Sequence, residues 1–359
     1  MSQPCALIMA GGTGGHIFPG LAVAHALRAR GWRVHWLGGR GSVQQPSMES
    51  RLVPLQGFAF EAIDFGGLRG KGLVTMALLP LRLLQAFWQS VVVLRRVKPD
   101  VVVGLGGYIT FPAGMMSVLL GKALVLHEQN SVAGLANKVL AGVADRVFTA
   151  FPNVIKGGAW VGNPLRAAFL QVPSPQSRFA GRSGPLRVLV LGGSLGAKAL
   201  NEVVPQALAL MAPEQRPTVL HQSGERQIEA LRANYQAAGV TADLTAFIDD
   251  TAQAMVDADL VVCRAGASTV TEIAAVGAAA VFVPFPYAVD DHQTTNALFL
   301  ADPAAAWLVA QQDLTARGLA DLLLGLGRTE LLGKALKAKT MGKLDATEQV
   351  VAACEELKP

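Results

Sequence analysis

The chain has 359 residues, 51% of them hydrophobic and only 16% charged, with a formal net charge of +5. Length and apolar content supply two full cores, which excludes a disordered or low-complexity chain and favours two domains. Residues 1–100 carry 11 Lys and Arg against 4 Asp and Glu, so an anionic surface or substrate is expected on the N-terminal side. The basic residues are scattered and no nucleic-acid motif accompanies them, which argues against nucleic acid as a partner and for an anionic membrane face. Cys5, Cys263 and Cys354 are odd in number and lack metal spacing, as suits reduced thiols in a cytoplasm. No signal-peptide pattern opens the chain, because the apolar run Cys5–Ala10 ends in glycines.

Ala6 to Ala10 followed by Gly11-Gly12-Thr13-Gly14-Gly15-His16 reads as strand, glycine-rich turn, helix. A dinucleotide-binding loop would expect an acid about 20 residues on. Here the second strand, Val34–Leu37, ends in Gly38-Gly39-Arg40 instead. His16 stands at the helix start, where a protonated imidazole would oppose the dipole. That suits a base which is neutral before it acts, and it equally suits a histidine that only caps the loop.

Leu73 to Leu94 carries Met76, Leu79, Leu83, Phe87 and Val91 at helical spacing, with Leu84 and Trp88 widening the apolar face. Pro80 and Arg82 interrupt the run, so it does not span a membrane. A core helix is the plain reading. The extra apolar width beside Arg69, Lys71, Arg82, Arg95, Arg96 and Lys98 fits a face resting on anionic lipid. The run from Asp100 to Gly107 is another strand entering glycines, and Leu124 to Asn130 ends a strand in His127-Glu128-Gln129-Asn130. Polar groups at a strand's C-terminal end are placed as site residues are in such sheets, with Glu128 a second candidate base and His127 a core histidine.

Val161 to Arg166 reads as a crossing between domains. Arg187 to Leu191, entering Gly192-Gly193-Ser194, then repeats the opening pattern, so two Rossmann-like halves are expected rather than one large sheet. Asp257-Ala258-Asp259 has the acid-x-acid form of a metal site, but it precedes the strand Leu260–Cys263 and lies at the wrong end of it; no metal or other cofactor is expected. After that strand come Arg264 to Ser268, a helix from Thr269 to Val276, a second strand Ala280–Val283, and a polar segment with Asp291, His292, Gln293 and Asn296. Thr269-Val270-Thr271-Glu272 fits a capping box, and spacing alone favours Glu272 as that cap.

Together GGTGGH with Ile17-Phe18-Pro19-Gly20, HEQN, Phe247-Ile248-Asp249-Asp250 and Arg264 to Gln293 resemble the MurG-type N-acetylglucosaminyltransferases of bacterial cell-wall synthesis over essentially the full length. The resemblance implies an α/β fold of two Rossmann-like domains with parallel sheets facing across a cleft, the GT-B type. Residues 1–163 would form an acceptor- and membrane-facing domain, 164–340 a UDP-sugar donor domain, and 341–359 a helix returning to the first. It implies His16, or Glu128, as catalytic base, with the glycine loop facing the acceptor diphosphate. UDP-N-acetylglucosamine contacts are implied at Thr13, Gly14, Gly15, Asn130, Arg166, Ser194, Ile248, Ala267, Ser268, Thr269, Val270, Thr271, Glu272 and Gln293, with Glu272 on the ribose diol. One extra residue before Gln293 departs from the commoner family spacing. A membrane face is implied at Leu73, Met76, Leu79, Leu83, Phe87 and Trp88. The expected reaction moves N-acetylglucosamine with inversion onto the 4-hydroxyl of undecaprenyl-linked lipid I, giving lipid II, at the cytoplasmic face of the inner membrane. A glycolipid synthase with another lipid acceptor, a UDP-N-acetylglucosamine 2-epimerase and a non-catalytic UDP-sugar-binding protein remain as alternatives.

Overall fold

The computed structural model describes residues 3–42, 45–65, 78–193 and 196–359, with only the backbone at 289. Two compact units divide the chain: residues 1–166 with 344–359, and residues 167–343.

In the first unit the strands are β1 (Cys5–Met9), β2 (Arg33–Gly39), β3 (Ala59–Ile63), β4 (Val101–Gly104), β5 (Ala123–Glu128), β6 (Arg146–Thr149) and β7 (Ala159–Trp160). They form one parallel sheet in the order β3-β2-β1-β4-β5-β6-β7. Continuous apolar runs such as Cys5–Met9 make this possible, since a parallel strand is covered on both faces. Side chains of β1 alternate accordingly. Ala6 and Ile8 enter one buried cluster with Leu21, Ala24 and Trp36, whereas Cys5, Leu7 and Met9 enter another with Val93, Leu94 and Ala113.

The helix Ala346–Leu357 belongs to this unit. Val350, Val351 and Cys354 join the first cluster, and burial pushes the Cys354 thiol up to about 12. Arg30 pairs with Glu348 and, at 2.7 Å, with Glu355; Arg146 reaches Glu356 at 2.6 Å.

The second unit repeats the arrangement with β8 (Arg187–Leu191), β9 (Thr218–Gln222), β10 (Asp243–Thr245), β11 (Leu260–Cys263), β12 (Ala280–Phe282) and β13 (Trp307–Leu308). The order is β10-β9-β8-β11-β12-β13, again parallel throughout. In both sheets the order reverses beside the first strand, between β1 and β4 and between β8 and β11. Such reversals are the usual ligand position in sheets of this kind.

Asp259 has no part in a metal site. Its buried carboxylate accepts hydrogen bonds from Arg182 at 2.6 Å, Arg328 at 3.0 Å and the Arg187 amide at 2.9 Å. Burial alone would raise its pKa, but these donors outweigh it and hold the carboxyl below its ordinary value. Asp259→Ala, which leaves both arginines with backbone carbonyls as acceptors but no counter-charge, is expected to destabilise the second unit by about 3–5 kcal/mol. The contribution of the carboxylate is present above the unfolded-state pKa and is lost as pH falls through the lower folded value, so it fades below about pH 4. Urea unfolding read by hydrogen exchange across β8 and β11 checks this, and a loss under about 1 kcal/mol would reduce the cluster to a surface pair.

Candidate functional site

At the β1/β4 reversal the two glycine turns pack backbone against backbone. Gly107 has φ +91, and a Cβ built there would lie 2.5 Å from the Gly11 carbonyl oxygen. Beneath them lies Glu49, fully buried, which accepts from the Gly39 amide at 3.1 Å and the Gly12 amide at 3.3 Å. So braced, Gly12 and Thr13 stay exposed and the helix Gly14–Ala29 starts beside them. Thr13 is the N-cap with extended backbone and makes no side-chain cap; the His16 amide turns back onto the Thr13 carbonyl at 3.1 Å, which leaves the Gly14 and Gly15 amides to an anion.

His16 sits half-buried in that first turn, its Nδ1 2.8 Å from Gln129 Oε1. Gln129 Nε2 continues to His127 Nδ1 at 3.1 Å, and His127 Nε2 meets the Gly162 carbonyl at 2.8 Å. His127 is the core histidine expected, and burial brings its pKa down to about 4. Glu128, the other candidate base, is already engaged. Its carboxylate accepts from Asn130 N at 2.9 Å, Asn130 Nδ2 at 3.4 Å, Gly134 N at 3.1 Å and Asn137 Nδ2 at 2.9 Å, which fixes the loop after β5. Arg166, the last residue of this unit, lies over the Phe18 ring at 5.1 Å, beside the same glycine turn.

At the β8/β11 reversal the second glycine turn is tied to β9: Gly193 N donates to Gln222 Oε1 at 3.1 Å, and Gln222 Nε2 returns to Gly193 O at 3.0 Å. Ser194 lies outside the described residues. The neighbouring helix spans Ala267–Val276, two residues earlier than expected, and Gly266 is its N-cap. Thr269 is therefore inside the first turn and cannot be the cap that Glu272 would complete. Freed of that box, Ser268, Thr269 and Glu272 lie half-buried along the helix start, and Ser268 Oγ has no hydrogen-bond partner. Val270 and Thr271 both turn their side chains into the core, and the Thr271 hydroxyl donates to the Ala267 and Ser268 carbonyls, 3.0 Å each. Ala267 is also buried, so the ligand-facing groups of this turn are its backbone amides.

Ile248 is half-buried in the loop between β10 and the helix Thr251–Asp257. Gln293 is the second residue of the helix His292–Ala301, and its Oε1 accepts from Phe285 N at 3.0 Å. Just before it Asp290 and Asp291 both adopt left-handed backbone, φ 53 and 49.

Of the expected membrane face, Leu73 and Met76 lie outside the described residues. On the helix Leu79–Val97, Leu79, Leu83 and Phe87 are corrected to the inward side. Leu79 and Leu83 pack on the second apolar cluster, and Phe87 meets the Phe111 ring at 6.0 Å. The outward stripe is Leu81, Leu84, Trp88 and Val92, with the first three 65%, 63% and 67% exposed. Of the expected set, Trp88 alone among the described residues lies on it. The periodicity was sound but its phase was misread, because Ala86, Ser90 and Val93, small or β-branched, are what let this helix approach the sheet. Among the described residues, no helix is long and apolar enough to cross a membrane.

Glu49 and Gln129 went unassigned in the sequence. Glu49 stands in Ser47-Met48-Glu49-Ser50, which reads only as a helix start; its contacts with two glycine amides come from tertiary packing. Gln129 sits inside HEQN, one residue past the end of β5, and nothing in that local pattern signals that it reaches His16.

Family models match both halves: the glycosyltransferase family 28 N-terminal domain over residues 6–149 and the C-terminal domain of the same family over residues 187–351. A relative from Polaromonas sp. strain JS666, named UDP-N-acetylglucosamine–N-acetylmuramyl-(pentapeptide) pyrophosphoryl-undecaprenol N-acetylglucosamine transferase, is 74% identical over 352 residues, 98% of this chain and 91% of that protein. One of the same name from Polaromonas naphthalenivorans is 73% identical over 357 residues, 99% of each chain. The crystal structure of Acinetobacter baumannii MurG is 40% identical, covers 98% of this chain and 99% of that one, and superposes with a TM-score of 0.82. Matched in both of its halves and over nearly its whole length, the chain belongs to glycosyltransferase family 28.

Proposed function

We propose that this protein transfers N-acetylglucosamine from UDP-N-acetylglucosamine to undecaprenyl-diphospho-N-acetylmuramoyl-pentapeptide, lipid I, to give lipid II for peptidoglycan. The observation that carries the reading is the end-to-end identity of 73–74% with transferases named for that donor and acceptor. A 2-epimerase, a glycolipid synthase with another acceptor and a mere UDP-sugar binder fall behind it on the same ground.

In the reaction, the acceptor 4-hydroxyl attacks the anomeric carbon of the donor from the face opposite UDP, the C–O bond to the diphosphate breaks, and configuration inverts. His16 takes the hydroxyl proton. It is favoured over Glu128 because taking a proton would cost Glu128 one of the hydrogen bonds that hold its loop. The first glycine turn receives the acceptor diphosphate on open amides. The donor side is served by the starts of the helices Lys198–Ala209 and Ala267–Val276, with Glu272 on the ribose diol, Ile248 at the uracil edge and Gln293 at the sugar. Departing UDP is stabilised by helix amides and the Arg166 cation, so the reading assigns no metal. Ser194 keeps its proposed diphosphate contact on the resemblance alone.

The exposed stripe Leu81, Leu84, Trp88 and Val92, with Arg82, Arg95, Arg96 and Lys98 on the same exposed helix and its cap, supports peripheral docking on an anionic membrane, the cytoplasmic face of the inner membrane where the acceptor is reached.

Labelled UDP-N-acetylglucosamine offered with lipid I, with a diacylglycerol, or alone should pass its label only to lipid I; label in diacylglycerol, or sugar epimerised without acceptor, rejects the assignment. His16→Ala should lower kcat on the order of 10²–10⁴-fold with UDP affinity nearly unchanged. Glu272→Ala should weaken UDP binding by roughly 10- to 100-fold while the fold keeps its stability. For the membrane face, Leu84→Ser with Trp88→Ser should cut co-sedimentation with phosphatidylglycerol vesicles by about tenfold or more. Equal sedimentation of variant and parent would remove that face from the reading.

A further inference from the structure

The contacts around Gln129 admit one arrangement of protons. Its Nε2 lies 3.1 Å from the His127 carbonyl oxygen, an atom that only accepts, so this end of the amide is the NH2 and Oε1 is the acceptor at the other. His16 Nδ1 is 2.8 Å from Oε1 and must therefore carry a hydrogen. A neutral imidazole has a single N–H, which leaves His16 Nε2 bare. At the far end His127 Nε2 lies 2.8 Å from the Gly162 carbonyl and must donate, so His127 Nδ1 is left to accept the second amide hydrogen of Gln129 at 3.1 Å. Each contact is consistent with the other three.

The pair meets only because residue 106 is glycine. Gly106 has φ +89, and a Cβ there would stand 2.8 Å from His16 Nδ1 and 3.2 Å from Gln129 Oε1. Burial keeps His127 neutral in neutral solution, since its pKa falls to about 4, so the anchor does not change its donor pattern in the working range.

We infer that Gln129 and His127 are positioning residues which lock His16 in its Nδ1–H tautomer and reserve Nε2 as the atom that takes the acceptor proton. This rests on the reading of His16 as the base. In water a neutral imidazole prefers the Nε2–H form, which has its lone pair on the wrong nitrogen for this geometry; the network selects the less favoured one. When the hydroxyl oxygen bonds to the anomeric carbon and the diphosphate leaves with its electron pair, the hydroxyl proton moves to Nε2. The Nδ1–H stays donated to Gln129 Oε1, whose dipole then faces the imidazolium. Solvent later removes the Nε2 proton.

Histidine-selective 15N labelling of the full chain, with two-bond 1H–15N correlation, reads the tautomer of each of the six histidines; the His16→Ala spectrum assigns the signal. The parent should show His16 with hydrogen on Nδ1. In Gln129→Met the Nε2–H form should appear, and kcat should fall on the order of 10- to 100-fold with KM for the donor nearly unchanged. Gly106→Ala should reproduce the Met variant by forcing the pair apart. A parent His16 carrying its hydrogen on Nε2 overturns the proposal whatever the activities, as does a Gln129→Met variant that raises KM and spares kcat. If the tautomer is as expected while His16→Ala turns over normally, the assignment of the base fails and the positioning stands.

Discussion

Most of the first unit's site follows from one close contact, the backbone of Gly107 against that of Gly11. Strand order reverses between β1 and β4, so the turns leaving them are neighbours, and a side chain at 107 would drive them apart. The same economy of space recurs below. A Cβ at Gly11 would lie 2.6 Å from Glu49 Oε1, and one at Gly38 would lie 2.7 Å from the Glu49 side chain. Small residues thus admit a carboxylate that holds two turn amides from within. What remains exposed is a turn whose other amides are free to meet an anion, and His16 one helical turn beyond.

The second unit repeats the strand order but stiffens its turn differently. A Cβ at Gly196 would collide with the Ser223 carbonyl at 2.2 Å, and behind this turn His221 Nε2 meets Asn201 Oδ1 at 3.0 Å while Asn201 Nδ2 reaches Gln227 Oε1 at 2.8 Å. Burial brings His221 down to about 3, so this chain too is neutral and directional. Each unit therefore uses a buried histidine with a side-chain amide to brace its switch-point turn. They differ in what accompanies the turn amides: in the first an imidazole stands beside them, as the proposed proton removal requires, and in the second the helix starts stand alone.

How much of this the sequence disclosed depended on the range of the interactions. Apolar runs ending in glycines marked β1, β4, β8 and β11, because strand burial and turn chemistry are local. The repeated strand-turn pattern announced two similar units for the same reason. Local pattern failed where tertiary packing chose among equivalents. Thr269 has the form of a cap, yet Gly266 with extended backbone caps the helix three residues sooner than the box allows. On the helix Leu79–Val97 both faces carry leucines, and only the small residues Ala86 and Ser90 reveal which one the sheet accepts. Gln129 bonds to His16 across 113 residues, a separation at which no window of sequence carries a signal.

Buried carboxylates separate by what surrounds them, and that separation bears on the chemistry. Asp259 is matched by two guanidinium groups and an amide, Glu49 by two glycine amides, and Glu128 by two amides and two asparagine side chains. Each has both oxygens engaged by donors fixed in place, so the acids are held as acceptors, and for Glu128, with four donors, adding a proton would displace one and leave it unsatisfied in the interior. Such groups serve the architecture. A group that must accept a proton during turnover has to keep a lone pair uncommitted, and an imidazole held by one nitrogen does so where a fully bonded carboxylate does not. By that criterion His16, held at Nδ1 by Gln129, is the group of the first unit that the proposed reaction can use for the transfer.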